Sequence, residues 1–214
     1  MSLHDFPLLA GLAGELAART ERYATHWHEV HELTNRWLDE QPDLLGELRR
    51  RLDCLPDGAR AELAAASRET TTHFAWRLAG GEGLPFSFWL HEYKPQRDWW
   101  RGYANSVHNH RYHFCTTVLA GGFQHEWYDV RLDSSGELAH EVGCRSSEVW
   151  RPGPLRSVTA DQFHRVARAT DGTLTFLVKS RAVREWSVSV DPATRVTRRH
   201  VPVEVLIASL AERI

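Results

Sequence analysis

The sequence predicts a β-sandwich or jelly-roll barrel preceded by a helical annex, α+β overall, and three observations predict it. Apolar residues recur at helical spacing through the first third of the chain, then alternate from Thr72 onward. The alternating runs are short, and clusters of Gly, Asp and Ser separate them. Many short strands at such spacing build a sandwich or barrel, and jelly rolls are one such class. The chain divides accordingly into a helical region over 1–70 packed on one outer face of the sheet, a barrel over 71–201 and a closing amphipathic helix over 202–214.

Leu12, Leu16 and Arg19 begin the helical period, and Tyr23, Trp27, Val30, Thr34 and Trp37 continue one apolar stripe. Pro42-Asp43 can start a further helix with Leu44, Leu45, Leu48 and Leu52 on its inner side. Pro56-Asp57-Gly58 breaks the chain, and the alanine-rich run 59–66 favours another helix. Three or four helices are expected. Strands are expected around Phe74/Trp76/Leu78, Phe86/Phe88/Leu90, 118–130, 164–169, Leu174/Phe176/Val178 and Trp186/Val188/Val190. The turns between them fall at 80–83, 133–136, Asp171-Gly172 and Asp191-Pro192.

With 214 residues, 42% hydrophobic, the chain can bury one real core. A formal net charge of −2 leaves no basic field for nucleic acid and no polybasic membrane patch. Of 26 basic residues only Lys94 and Lys179 are lysines, a bias that fits a GC-rich genome. Cys54, Cys115 and Cys144 are odd in number and irregularly spaced, which argues against a secreted disulfide framework. The N-terminus lacks a basic segment, and no long apolar window occurs. A cytoplasmic protein, monomer or homodimer, acting on a small molecule is expected.

The chemistry concentrates in 107–122, V-H-N-H-R-Y-H-F-C-T-T-V-L-A-G-G. On a strand, His108 and His110 project from one face, at about the separation two ligands of one metal need. Phe163-His164-Arg165-Val166 offers a third histidine at the start of another strand. H-x-H plus a distant histidine is how a barrel builds a metal site with open positions. The alternative is a pair of hydrogen-bonded histidines on a strand. No carboxylate stands four or five residues after His110; Phe114 and Cys115 occupy those places.

The pattern H-x-H-x4-C-x6-G, here His108, His110, Cys115 and Gly122, resembles the cysteine dioxygenases of the cupin superfamily. F-H-R-V at His164 resembles their third-ligand segment, and Trp76-Arg77-Leu78 resembles the segment whose arginine binds the substrate carboxylate. The resemblance covers roughly 70–190 and implies a cupin jelly-roll barrel. It implies His108, His110 and His164 as ligands of Fe(II), or of another first-row divalent ion, with O2 as co-substrate. His113 and His125 are not expected to bind. Arg77 becomes the carboxylate clamp, or else a strand-edge charge, and Cys115 and Tyr112 become catalytic candidates. In the family the matching cysteine is cross-linked to a later tyrosine, yet 165–199 contains no Tyr and no His. The Ser-x-His-x-Tyr array expected near 175–181 is therefore missing. Parity also sets Cys115 on the opposite face from His110 unless a bulge intervenes, so a plain core cysteine remains open.

The aromatic loop 93–103, with Trp99, Trp100, Arg101 and Tyr103, is an insertion relative to that pattern. It can lid the pocket, with Trp100 and Tyr103 meeting substrate, or cover a barrel end or a dimer contact. His26, His28, His31 and Glu32 form a polar helix face that could also hold a metal. The activity implied is oxidation of sulfur in L-cysteine or a close small amino-thiol acid. Two alternatives stand beside it. One is a diverged enzyme giving a non-sulfinate product by decarboxylation or sulfur–nitrogen bond formation. The other is a cupin that binds metal or ligand without turnover.

Overall fold

A computed structural model describes residues 5–18, 26–80, 84–100 and 102–200. Four helices come first: α1 (Leu8–Ala17), α2 (Trp27–Asp39), α3 (Leu44–Asp53) and α4 (Asp57–Ala66). The expected stripe is present in α2, which buries Trp27, Val30, Leu33, Thr34 and Trp37. Asp43 starts α3 by accepting the Gly46 N–H at 3.1 Å, which satisfies one donor that a helix start leaves open. The expected closing helix over 202–214 lies outside the described residues, as do Arg19, Tyr23, Arg101 and the centre of the 80–83 turn. No helix among the described residues is long and apolar enough to cross a membrane.

The strands are β1 (Arg68–Glu69), β2 (His73–Ala79), β3 (Phe86–Tyr93), β4 (Val107–His108), β5 (Phe114–Ala120), β6 (Phe123–Leu132), β7 (Ala139–Trp150), β8 (Arg156–Val158), β9 (Phe163–Ala169), β10 (Leu174–Ser180), β11 (Ser187–Val190) and β12 (Thr197–His200). They form two six-stranded antiparallel sheets, ordered β1-β2-β3-β10-β5-β8 and β12-β11-β4-β9-β6-β7. Strands distant in sequence thus lie side by side, as in a jelly-roll barrel with an N-terminal helical annex, the fold class expected.

The continuous run expected over 118–130 is divided. Gly121, at φ +70°, turns the chain between β5 and β6, and a Cβ there would lie 2.5 Å from the Thr173 hydroxyl. Only glycine tolerates both that backbone and that approach. The longest strand, β7, was not foreseen, because most of its residues are exposed and carry no apolar alternation.

The four longer strands of the first sheet, β2, β3, β5 and β10, sort their side chains between two cores. Leu78, Phe86, Phe88, Leu90, Phe176 and Val178 face outward and pack under the helices. Ala75, Trp89, Tyr93, Phe114, Val118 and Leu177 face inward and meet Phe123, Val166 and Ala169 of the second sheet. Each fully buried aromatic or aliphatic side chain contributes about 1.5–3 kcal/mol. The outer core therefore fixes the sheet that forms one wall of the barrel.

Candidate metal centre

His108 closes β4, where its register partners are Ser189 on β11 and His164 on β9. Two of the three sequence-selected histidines are therefore cross-strand neighbours, although they stand 56 positions apart in the chain. Asn109 turns the opposite way and bonds to β11 twice. Its Oδ1 accepts from Val188 N–H at 2.7 Å, and its own N–H donates to Val188 carbonyl at 3.0 Å. With Asn109 so anchored, His108 and His110 share a face, as the period of a strand requires.

The three rings form a nearly equilateral triangle. Centroid separations are 4.8 Å for His108–His110, 4.8 Å for His108–His164 and 4.9 Å for His110–His164. One ligand nitrogen from each lies within 4.8 Å of the others. Among the described residues this is the one group of three or more ligand-type side chains able to hold a metal ion. His28 and Glu32 are not part of it.

Outer hydrogen bonds set the tautomers. His108 Nδ1–H donates to Ser106 carbonyl at 2.9 Å, which leaves Nε2 as a lone pair. His164 Nδ1 lies 2.9 Å from His125 Nε2 and donates to it in the tautomer that frees His164 Nε2. His125 is itself stacked on Trp150 at 3.9 Å, interplanar angle 9°. Burial holds all three rings neutral. It lowers His108 to about 4 and puts His110 and His164 well below the ordinary histidine range, with neighbouring histidines adding to the shift in those two. His110 Nε2 and His164 Nε2 approach to 2.7 Å, and His110 Nδ1 is buried without a partner. Three converging neutral nitrogens, two of them oriented by outer partners, fit a first-row divalent ion.

A cavity of about 420 Å³ lies beside the triad. Tyr93, Phe114, Phe123, Trp150, Val166 and Leu177 give it an apolar wall, interrupted by Thr116, Thr175, His73 and His91. An apolar cavity with a few converging polar groups is the usual form of a small-molecule site. Tyr112 lines it with its ring 5.0 Å from His110. Tyr103 lies 4.3 Å from His108, and its hydroxyl donates to the Asn109 carbonyl. Trp100 stands at the rim, 54% exposed, with the Lys94 ammonium 4.0 Å from its ring centroid. The aromatic loop therefore reaches both the cavity and the triad.

Two expectations require correction. Cys115 is fully buried in the outer core beneath the helices, and its register partners are Val178 and Ser157. Burial pushes its thiol up to about 12. Because β5 is regular, Phe114 and Thr116 reach the cavity and the residue between them cannot. Arg77 does lie on the inner face of β2, over Trp89 with its guanidinium 5.8 Å from the ring centroid, but it does not line the cavity. On β2 it is His73 that reaches the wall, four residues or about 13 Å away. Arg68 of β1 is the arginine in the wall. His113 faces away, accepting from Ala160 N–H and lying 5.4 Å from Trp27.

The sequence reading also missed the His73–His91 pair, stacked at 4.3 Å in the cavity wall, and the His125 support of His164. Both depend on cross-strand register. The available signal was the inward parity of His73 with Ala75 and of His91 with Trp89.

The chain matches no protein-family model and no curated protein. Among solved structures it is similar to ectoine synthase from P. lautus, with 14% identity, 64% of this chain and 82% of that one covered, and a TM-score of 0.37. Oxalate decarboxylase of Bacillus subtilis, a protein with Mn(II) centres, shows 16% identity, 68% and 34% coverage, and a TM-score of 0.37. The DMSP lyase DddQ of Ruegeria pomeroyi shows 14%, 62% and 70%, and 0.37. All three TM-scores lie below 0.5, so the fold rests on the strand order above and not on these likenesses.

Proposed function

We propose that this protein is a non-heme Fe(II)- and O2-dependent oxygenase that oxidises the sulfur of L-cysteine or a close small amino-thiol acid. The observation that carries the reading is the neutral three-histidine face of His108, His110 and His164 on a mainly apolar cavity. A donor set without a carboxylate leaves a divalent cation its full charge, which favours an anionic sulfur ligand. Iron, when bound, supplies the one-electron chemistry through which dioxygen reacts with a thiolate. Both atoms of O2 end on sulfur, RSH + O2 → RSO2H; sulfur loses four electrons and dioxygen gains four.

The chain's own contribution is placement and exclusion of water. Phe114, Trp150 and Leu177 keep the space beside the triad apolar, which strengthens every polar contact made in it. The Ser106 carbonyl and His125 hold two imidazoles with their lone pairs inward. Tyr112 and Tyr103 stand against His110 and His108, and Arg68 brings a guanidinium to the wall where an acid's carboxylate can pair.

The test is oxygen uptake by Fe(II)-loaded protein given L-cysteine, with product mass measured in parallel. Uptake with a gain of two oxygen atoms supports the reading, and no uptake removes it. A second reading follows from the absence of Tyr and His over 165–199, which leaves the cavity phenols to come from other elements. On that reading the same centre gives a decarboxylated or sulfur–nitrogen-bonded product, and the product mass separates the two.

A further inference from the structure

Beside the triad, three basic side chains gather around one indole without an anion. The Lys179 ammonium lies 3.9 Å from the Tyr112 ring centroid and 4.7 Å from that of Trp89. The guanidinium of Arg68 lies 5.4 Å from the same Trp89 ring, and that of Arg77 lies 5.8 Å from it. Register explains the gathering: Arg77 and Leu177 both pair with Trp89, and Lys179 follows Leu177 on the same face of β10. Among the described residues none of the three makes an ion pair, and Arg77 Nε is buried with no hydrogen-bond partner. The carboxylate in the adjoining wall, Glu69, is already engaged by Lys94 at 2.5 Å.

Aromatic faces offset part of this charge, but a cation–π contact is weaker than an anion within hydrogen-bond reach. Arg68 is exposed, but Arg77 is half-buried, and a cation there without its counter-charge is costly. We propose that Arg68, at the cavity wall, with Arg77 and Lys179 behind it on Trp89, forms a subsite for a multiply charged oxyanion, the acidic end of the substrate, placed one phenol ring, Tyr112, away from His110. A single carboxylate neutralises one charge of this set. A phosphate- or phosphonate-like group, or a pair of carboxylates, matches it better and can engage guanidinium forks in pairs. Burial, then the guanidinium groups of Arg68, Arg111 and Arg77, lowers Lys179 well below its usual range, a direction that an anion bound beside it opposes. The inference sharpens the oxygenase reading by giving the thiol acid a second negative charge, but it does not depend on metal chemistry.

The experiment is calorimetric titration of the metal-free full chain with inorganic phosphate and, separately, acetate at one low ionic strength. One phosphate is expected per chain, bound at least about tenfold more tightly than acetate, as expected for added charged hydrogen bonds. Lys179→Met and Arg68→Gln are each expected to weaken phosphate by about tenfold to a hundredfold, with metal stoichiometry on reconstitution unchanged. Arg68 is exposed on a two-residue edge strand, so its variant keeps the test valid if the buried Lys179 change disturbs folding. Phosphate no tighter than acetate, or full affinity retained in Arg68→Gln, overturns the subsite. Phosphate binding by a protein that, loaded with iron, takes up no oxygen with cysteine upholds the subsite while removing the oxygenase reading.

Discussion

The two faces of the first sheet use the same strands for opposite ends. Outward, Leu90, Cys115, Phe176 and Val178 pack in a dry core under the helices. Inward, their immediate neighbours His91, Phe114, Thr116, Thr175 and Leu177 line the cavity, and Lys179 joins the cationic cluster beside it. One residue of parity separates a side chain whose loss costs stability from one whose loss costs chemistry. A sheet can carry a polar, unsatisfied inner face because its outer face is so fully buried.

The sharpest way to break this comparison is at the triad. His110→Ala is expected to lose stoichiometric metal and activity together while leaving the fold intact, read by metal analysis beside circular dichroism. Stoichiometric metal in that variant would sink the assignment. On the outer face, Phe176→Ala removes a ring that is 0% exposed and should cost about 3–5 kcal/mol of unfolding free energy. Denaturant titration measures that cost, and the folded fraction should keep its metal; loss of metal at full occupancy of the fold would mean that the two faces are not separable.

A smaller effect tests the support behind the ligands. His125→Phe keeps the stack on Trp150 but removes the partner of His164 Nδ1. Metal affinity, measured by chelator competition, should fall about 10- to 100-fold; unchanged affinity would show that His164 holds its orientation without it. The smallest change is expected at Cys115→Ala, about 1 kcal/mol in stability with turnover unchanged. A large loss of turnover without loss of stability would return Cys115 to the site.

Much of this was legible in the chain. Period marks the helices and most core strands, and the spacing of His108 and His110 with the distant His164 marks the three rings that converge. The rest was hidden for definite reasons. β7 exposes most of its residues and so shows no apolar alternation, and β1, β4, β8 and β12 are too short for a pattern. Arg77 and Arg68 look alike as letters; only the pairing of β1 on β2 puts the second into the wall.

The sequence by itself determined which face each residue of a regular strand takes, because side-chain direction alternates with every peptide unit. That settled Cys115 as soon as β5 proved free of a bulge between Phe114 and Val118. Only the tertiary structure decided which strands became neighbours, and hence that His164 lies opposite His108, that His125 backs His164, and that Trp89 gathers three cations from three strands. Pairing across the barrel is a long-range choice, made by burying two cores at once, and no local run of residues encodes it.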